Sequence, residues 1–91
     1  MRPPDTITVE FFGIPRHRAG RATLTLAAAN LAQVLAAVES ACPGLSGLRG
    51  PEGRLAGHYL LSLDGRRFLC DLAEEVPPGS RLLLLSADAG G

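Results

Sequence analysis

Apolar and polar positions alternate with period two in several stretches of the chain and follow a helical period in one. In Ile7-Thr8-Val9-Glu10-Phe11 the residues Ile7, Val9 and Phe11 share one face, as in a half-buried strand. Gly13-Ile14-Pro15 interrupts it, and Arg16 to Arg21, containing Gly20, reads as a polar turn. Ala22-Thr23-Leu24-Thr25-Leu26 then alternates again, so the two segments are predicted to pair as a hairpin. Leu31, Val34, Leu35, Val38 and Cys42 instead fall on one helical stripe. Asn30 is placed to accept from first-turn N–H groups, Gln33 occupies the capping-box position, and Pro43-Gly44 ends the helix.

Leu45 to Gly57 is rich in Gly, Pro and charge and is expected to be a surface loop with room for one helical turn. His58 to Leu63 follows as a strand with Tyr59, Leu61 and Leu63 on one face. Asp64-Gly65 signals a tight turn into a short return strand at Arg66-Arg67-Phe68. After a turn-like acidic stretch, Leu72 to Val76, the bend Pro77-Pro78-Gly79-Ser80 leads into a last strand, Arg81 to Ser86. Its four consecutive leucines, Leu82 to Leu85, predict a strand buried on both faces and therefore central in its sheet. The expected fold is α+β, a mixed sheet of four to five strands packed on one main helix.

Ninety-one residues, 46% apolar and 20% charged, suit one globular domain and not a disordered chain. The sequence has no apolar h-region after Met1 and no run long enough to span a bilayer, so a soluble, cytoplasmic protein is expected. Zero net charge argues against nucleic-acid or membrane-surface partners. All nine basic residues are arginine, which leaves no ε-amine to accept an isopeptide bond. Cys42 and Cys70 lack zinc-site spacing, and a cytoplasmic compartment disfavours a disulfide. Both are expected to be small buried hydrophobes. His17 and His58 stand apart from any acid or nucleophile, so no catalytic residues and no metal site are expected.

The chemistry is concentrated at the end of the sequence. Ala89-Gly90-Gly91 follows the last strand, and two glycines without Cβ atoms make a thread thin enough for a narrow active site. The group delivered would be the α-carboxylate of Gly91, able to attack the α-phosphate of a nucleotide and form an acyl-adenylate. A frayed, functionless terminus is the competing reading.

Taken together, the opening strand Ile7 to Gly13, the helix Asn30 to Cys42 with Pro43-Gly44-Leu45, the segment Leu61 to Arg66, and Pro78-Gly79-Ser80-Arg81-Leu82 leading to Gly90-Gly91 resemble the ubiquitin-like β-grasp sulfur carriers of the ThiS and MoaD family. That family includes the small subunit of molybdopterin synthase. The resemblance covers essentially the whole chain, residues 1–91, with a flexible tail at 86–91. It rests on the order and spacing of motifs that are individually weak. It implies a carrier and not an enzyme, with no bound cofactor: a ubiquitin-activating-type partner spends ATP to adenylate Gly91. A sulfurtransferase then converts Gly91 to a thiocarboxylate, and a sulfur-accepting synthase takes up Ala89, Gly90 and Gly91. Many such carriers end in Pro-Pro-Val-Ala-Gly-Gly, where this chain has Ser86-Ala87-Asp88-Ala89 before its glycines. The Asp88 carboxylate would need an Arg or Lys of the partner to offset its approach to ATP phosphates. The alternative is a ubiquitin-like interaction module or modifier whose tail is not thiocarboxylated.

Two surface features remain. Phe12, Leu60 and Leu83 are expected to face away from the core and form an apolar partner-contact patch, unless the long loop covers them. Arg16, His17, Arg18 and Arg21 form a basic cluster, read either as a solvated turn or as a contact for an acidic partner. RNA would require adjacent stacking aromatics.

Overall fold

The first alternating segment forms β1 (Thr6–Phe11), with Ile7, Val9 and Phe11 buried, in a computed structural model that describes residues 5–87. β2 (Thr23–Ala27) returns antiparallel to it, pairing Thr6 with Ala27 and Glu10 with Thr23. The link between them is more than a polar turn. Residues Gly13–Ala19 form a short helix, α1, closed by Gly20 in the left-handed region at φ 73°. Pro15 lies in the first turn, where its missing N–H breaks no helical hydrogen bond, and its ring is buried. Seven residues are too few to display a stripe, which is why Gly-Ile-Pro reads as an interruption.

α2 (Leu31–Ala41) is the main helix. The Asn30 side chain accepts from the Gln33 N–H at 2.9 Å and the Gln33 side chain accepts from the Asn30 N–H, closing the predicted capping box. Two further first-turn N–H groups, those of Leu31 and Ala32, donate to the carbonyls of Glu74 and Leu72. The acidic stretch thus serves the helix through its backbone. The whole predicted stripe, Leu31, Val34, Leu35, Val38 and Cys42, is buried.

Loop 45–57 contributes more to the core than a surface loop would. It carries a single 3₁₀ turn (Pro51–Gly53), but Leu45, Leu48, Leu55 and Ala56 are buried. Glu39, on α2, holds the loop by accepting from the Leu48 N–H at 2.9 Å and pairing with Arg49 at 3.0 Å. The Gly and Pro content shapes the turns while the interspersed leucines fill the space beneath them.

β3 (Tyr59–Leu63) and β4 (Arg67–Phe68) are joined by the three residues Asp64, Gly65 and Arg66; Asp64 and Gly65 take left-handed φ values of 55° and 69°, and the Arg66 N–H donates to the Leu63 carbonyl at 2.9 Å. The Asp64 carboxylate also accepts from the Arg81 N–H at 2.8 Å, tying the turn to the start of β5 (Arg81–Ser86). The sheet order is β2-β1-β5-β3-β4, with β1 and β5 parallel and every other pair antiparallel. This is the expected mixed sheet, five strands in all, packed through one face on α2: a ubiquitin-like β-grasp fold.

Two further expectations need correction. β5 is central, but it is not buried on both faces: Leu82 and Leu84 are fully covered, whereas Leu83 and Leu85 are only partly covered. α2 covers one face of the sheet, while on the other the seven-residue α1 reaches only the end near Phe12 and Leu85. Cys42 is buried as expected, but Cys70 is exposed. Leu69 takes the adjacent core position, and the Cys70 thiol faces the Arg54 guanidinium at 3.0 Å.

Candidate functional site

Strand direction fixes where the chain leaves the sheet. Because β1 and β5 run parallel, with Phe11 opposite Leu84, their C-terminal ends lie together, and the Phe12 N–H donates to the Leu84 carbonyl at 3.1 Å. β3 is antiparallel to β5, so its first residue, Tyr59, stands opposite Ser86. The Ala87 N–H donates to the His58 carbonyl at 2.9 Å. β5 ends at Ser86, so the chain beyond the strand begins one residue later than the sequence-predicted tail. Ala89, Gly90 and Gly91 lie outside the described residues.

The uncovered face of the sheet is apolar around that exit. Partners in register share a face, so Leu60 and Leu85 stand side by side, with Phe12 following the Phe11–Leu84 pair on the other flank of β5. Phe12 is 40% exposed and Leu60 39%. The next row pairs Glu10 with Leu83, Leu83 with Ser62, and Ser62 with Phe68, which is 67% exposed. The long loop places its leucines in the core, and Phe12, Leu60 and Leu83 share the open side of the sheet. Sequence reasoning missed Ile14, Leu85 and Phe68 on this surface, and His58 at the chain exit. The period-two rule applied to β5 exposes Leu85 with Leu83, but four leucines in a row hide the alternation. Ile14 is 52% exposed at the start of α1, a helix the sequence conceals.

Phe12, Gly13, Ile14, Leu85 and Ser86 line a small apolar recess of about 160 Å³. On the other side of Gly13 a more open cleft is lined by Arg16, His17, Gly20, Arg21 and Ala22. Charge is segregated even though the net charge is zero. The basic residues of α1 follow the C-terminal end of β1, while Glu74 and Glu75 lie against the N-terminus of α2, reached from the opposite end of the β1–β2 hairpin. Glu74 is paired with Arg67 at 3.4 Å, Glu39 with Arg49, and Glu10 with Arg81 at 3.8 Å. Among the described residues Arg16 and Arg18 have no ion pair, and Arg21 donates only to the nearby Thr23 carbonyl at 2.9 Å. Among the described residues no three His, Cys, Asp or Glu side chains are grouped so as to hold a metal ion, and no helix is long and apolar enough to cross a membrane.

This arrangement presents an uncovered apolar surface beside the point where the chain leaves the sheet. No family model matches the chain, and no curated protein matches it in sequence. Solved structures do. The chain is similar to a crystal structure of SAMP1 from Haloferax volcanii at 26% identity and TM-score 0.76, covering 94% of this chain and 99% of that one. A second crystal structure, of H. volcanii small archaeal modifier protein 1, matches at 25% identity and TM-score 0.69, covering 87% and 93%. The solution structure of small archaeal modifier protein 1 from Methanosarcina acetivorans shares the fold at 19% identity and TM-score 0.75, covering 94% and 96%. The β-grasp body described here is therefore similar, over nearly its full length, to small archaeal modifier proteins.

Proposed function

We propose that the protein is a ubiquitin-like carrier whose Gly91 carboxylate is activated by a partner enzyme and converted to a thiocarboxylate that donates sulfur in a biosynthetic reaction. The observation that carries this reading is the pairing of a Gly90-Gly91 ending with a strand that leaves the sheet beside an uncovered apolar face. The near full-length likeness to modifier proteins of the same fold supports it.

The chemistry runs through the tail. A Gly91 carboxylate oxygen attacks the α-phosphorus of ATP held by an adenylating enzyme, and pyrophosphate leaves. The sulfur of a sulfurtransferase persulfide attacks the acyl carbon and displaces AMP. A second thiol opens the resulting acyl disulfide, which leaves the thiocarboxylate. Gly90 supplies steric clearance in both pockets and Ala89 is small enough to follow. Phe12, Leu60 and Leu83 contact the partner while the tail is inserted. The body contributes recognition, and the catalytic groups belong to the partners.

A second reading, favoured by the neighbours' name of modifier, is transfer of the activated Gly91 to a lysine of another protein. With arginine at all nine basic positions, this chain would cap an acceptor and could not be extended through its own side chains. Both readings require adenylation. The test is pyrophosphate release from ATP by the ubiquitin-activating-type enzyme of the same cells. Wild-type chain should stimulate it, and a chain lacking Gly90 and Gly91 should not. Equal release with both chains overturns the proposal.

A further inference from the structure

We propose that the apolar recess and the basic cleft adjoining at Gly13 form one docking site, and that its occupant is a partner segment carrying a bulky apolar side chain next to carboxylates. The recess, lined by Phe12, Ile14 and Leu85, has room for one such side chain and no charged group among its lining residues. The cleft beside it is lined by Arg16, His17 and Arg21, none of which has a carboxylate partner among the described residues. Every ion pair in the described structure lies elsewhere: Glu39, Glu74 and Glu10 are engaged by Arg49, Arg67 and Arg81. The acids among the described residues thus leave this pole uncompensated. Charge complementarity therefore selects an acidic occupant and disfavours a second copy docked through the same pole, which would oppose one cationic cleft to another.

The site's position gives it a use. It adjoins the point where β5 hands over to Ala87, so a partner gripping Phe12, Ile14 and Leu85 also fixes the root of the tail. The inference names the chemistry of the partner that the carrier reading requires. It does not depend on Gly91 being activated, and the experiment below leaves Gly91 aside, so either idea can fail alone.

The test is an amide chemical-shift titration of the intact protein with a capped synthetic peptide, Asp-Glu-Leu-Phe-Asp-Glu. Asn/Gln and Lys versions of the same peptide serve as controls. The acidic peptide should shift the amides of Phe12, Gly13, Arg16 and Leu85. Its affinity should fall by about tenfold as added salt shortens the Debye length from about 30 Å to about 8 Å. Arg16→Glu combined with His17→Glu, both on the exposed side of α1, should transfer the preference to the Lys peptide. Shifts that are equal for all three peptides, that map to another face or that never saturate overturn the proposal. So do shifts of the same amides on raising protein concentration alone, which would make a second copy the occupant.

Discussion

The two sides of β5 hold the same residue in alternation and behave as different materials. Leu82 and Leu84 have no exposed surface, whereas Leu83 and Leu85 keep part of theirs. Propensity and hydrophobicity are identical, so only what lies opposite distinguishes them. Inside, α2 brings Leu31, Val34, Leu35 and Val38 onto the sheet. Outside, the neighbours are Phe12, Leu60 and the short helix α1. Burying a leucine completely contributes about 1.5–3 kcal/mol, which makes the inner pair a source of stability. Leucines left uncovered contribute less to folding and retain that free energy for association. The contrast assigns one face to the fold and the other to a partner.

The comparison can be broken from its strongest point downward. Val34→Asp puts a carboxylate at the centre of the α2–sheet contact, a cost of several kcal/mol against a total stability of about 5–15 kcal/mol. Circular dichroism should show no cooperative thermal transition, and a folded variant would refute the placement of α2. Leu84→Ala should lower stability by about 2–5 kcal/mol in urea titrations through the cavity it leaves. The same change one residue on, Leu85→Ala, should cost under about 1 kcal/mol while weakening the acidic peptide. Equal losses for the two would erase the distinction between the faces. Between them comes Asn30→Ala, which removes the α2 cap and should cost about 0.5–2 kcal/mol. The smallest effect belongs to deletion of Gly90 and Gly91, which should leave the melting temperature nearly unchanged and abolish adenylation. A fall of many degrees would make the tail structural.

Where one local rule governed a segment, the sequence was legible. The α2 stripe and cap, the period-two faces of β1 and β3, and the Asp64-Gly65 hairpin all follow from spacing and turn chemistry. Misreadings came where tertiary context decides. α1 is held by burial of Pro15 against the end of the sheet and not by a pattern of its own. The loop leucines Leu45, Leu48 and Leu55 become core because α2 and the sheet leave space beneath them. Cys70 follows a two-residue strand, too short for alternation to indicate its direction. For the site, Phe12 and Leu60 fall on the outward phase of alternation next to the inward residues Phe11, Tyr59 and Leu61. Leu85 was hidden by a uniform run of leucines, and Ile14 by the unrecognised helix. Joining the apolar recess to the basic cleft required the parallel pairing of β1 with β5, which no short-range signal encodes.

The most direct test of the central claim is the mass of the C-terminal peptide of this protein purified from its own cells grown with ample sulfur. The account predicts a peptide ending in Gly91 in which one carboxylate oxygen has been exchanged for sulfur. A peptide ending in an unmodified Gly91, or one continuing beyond it in the mature protein, would contradict the account.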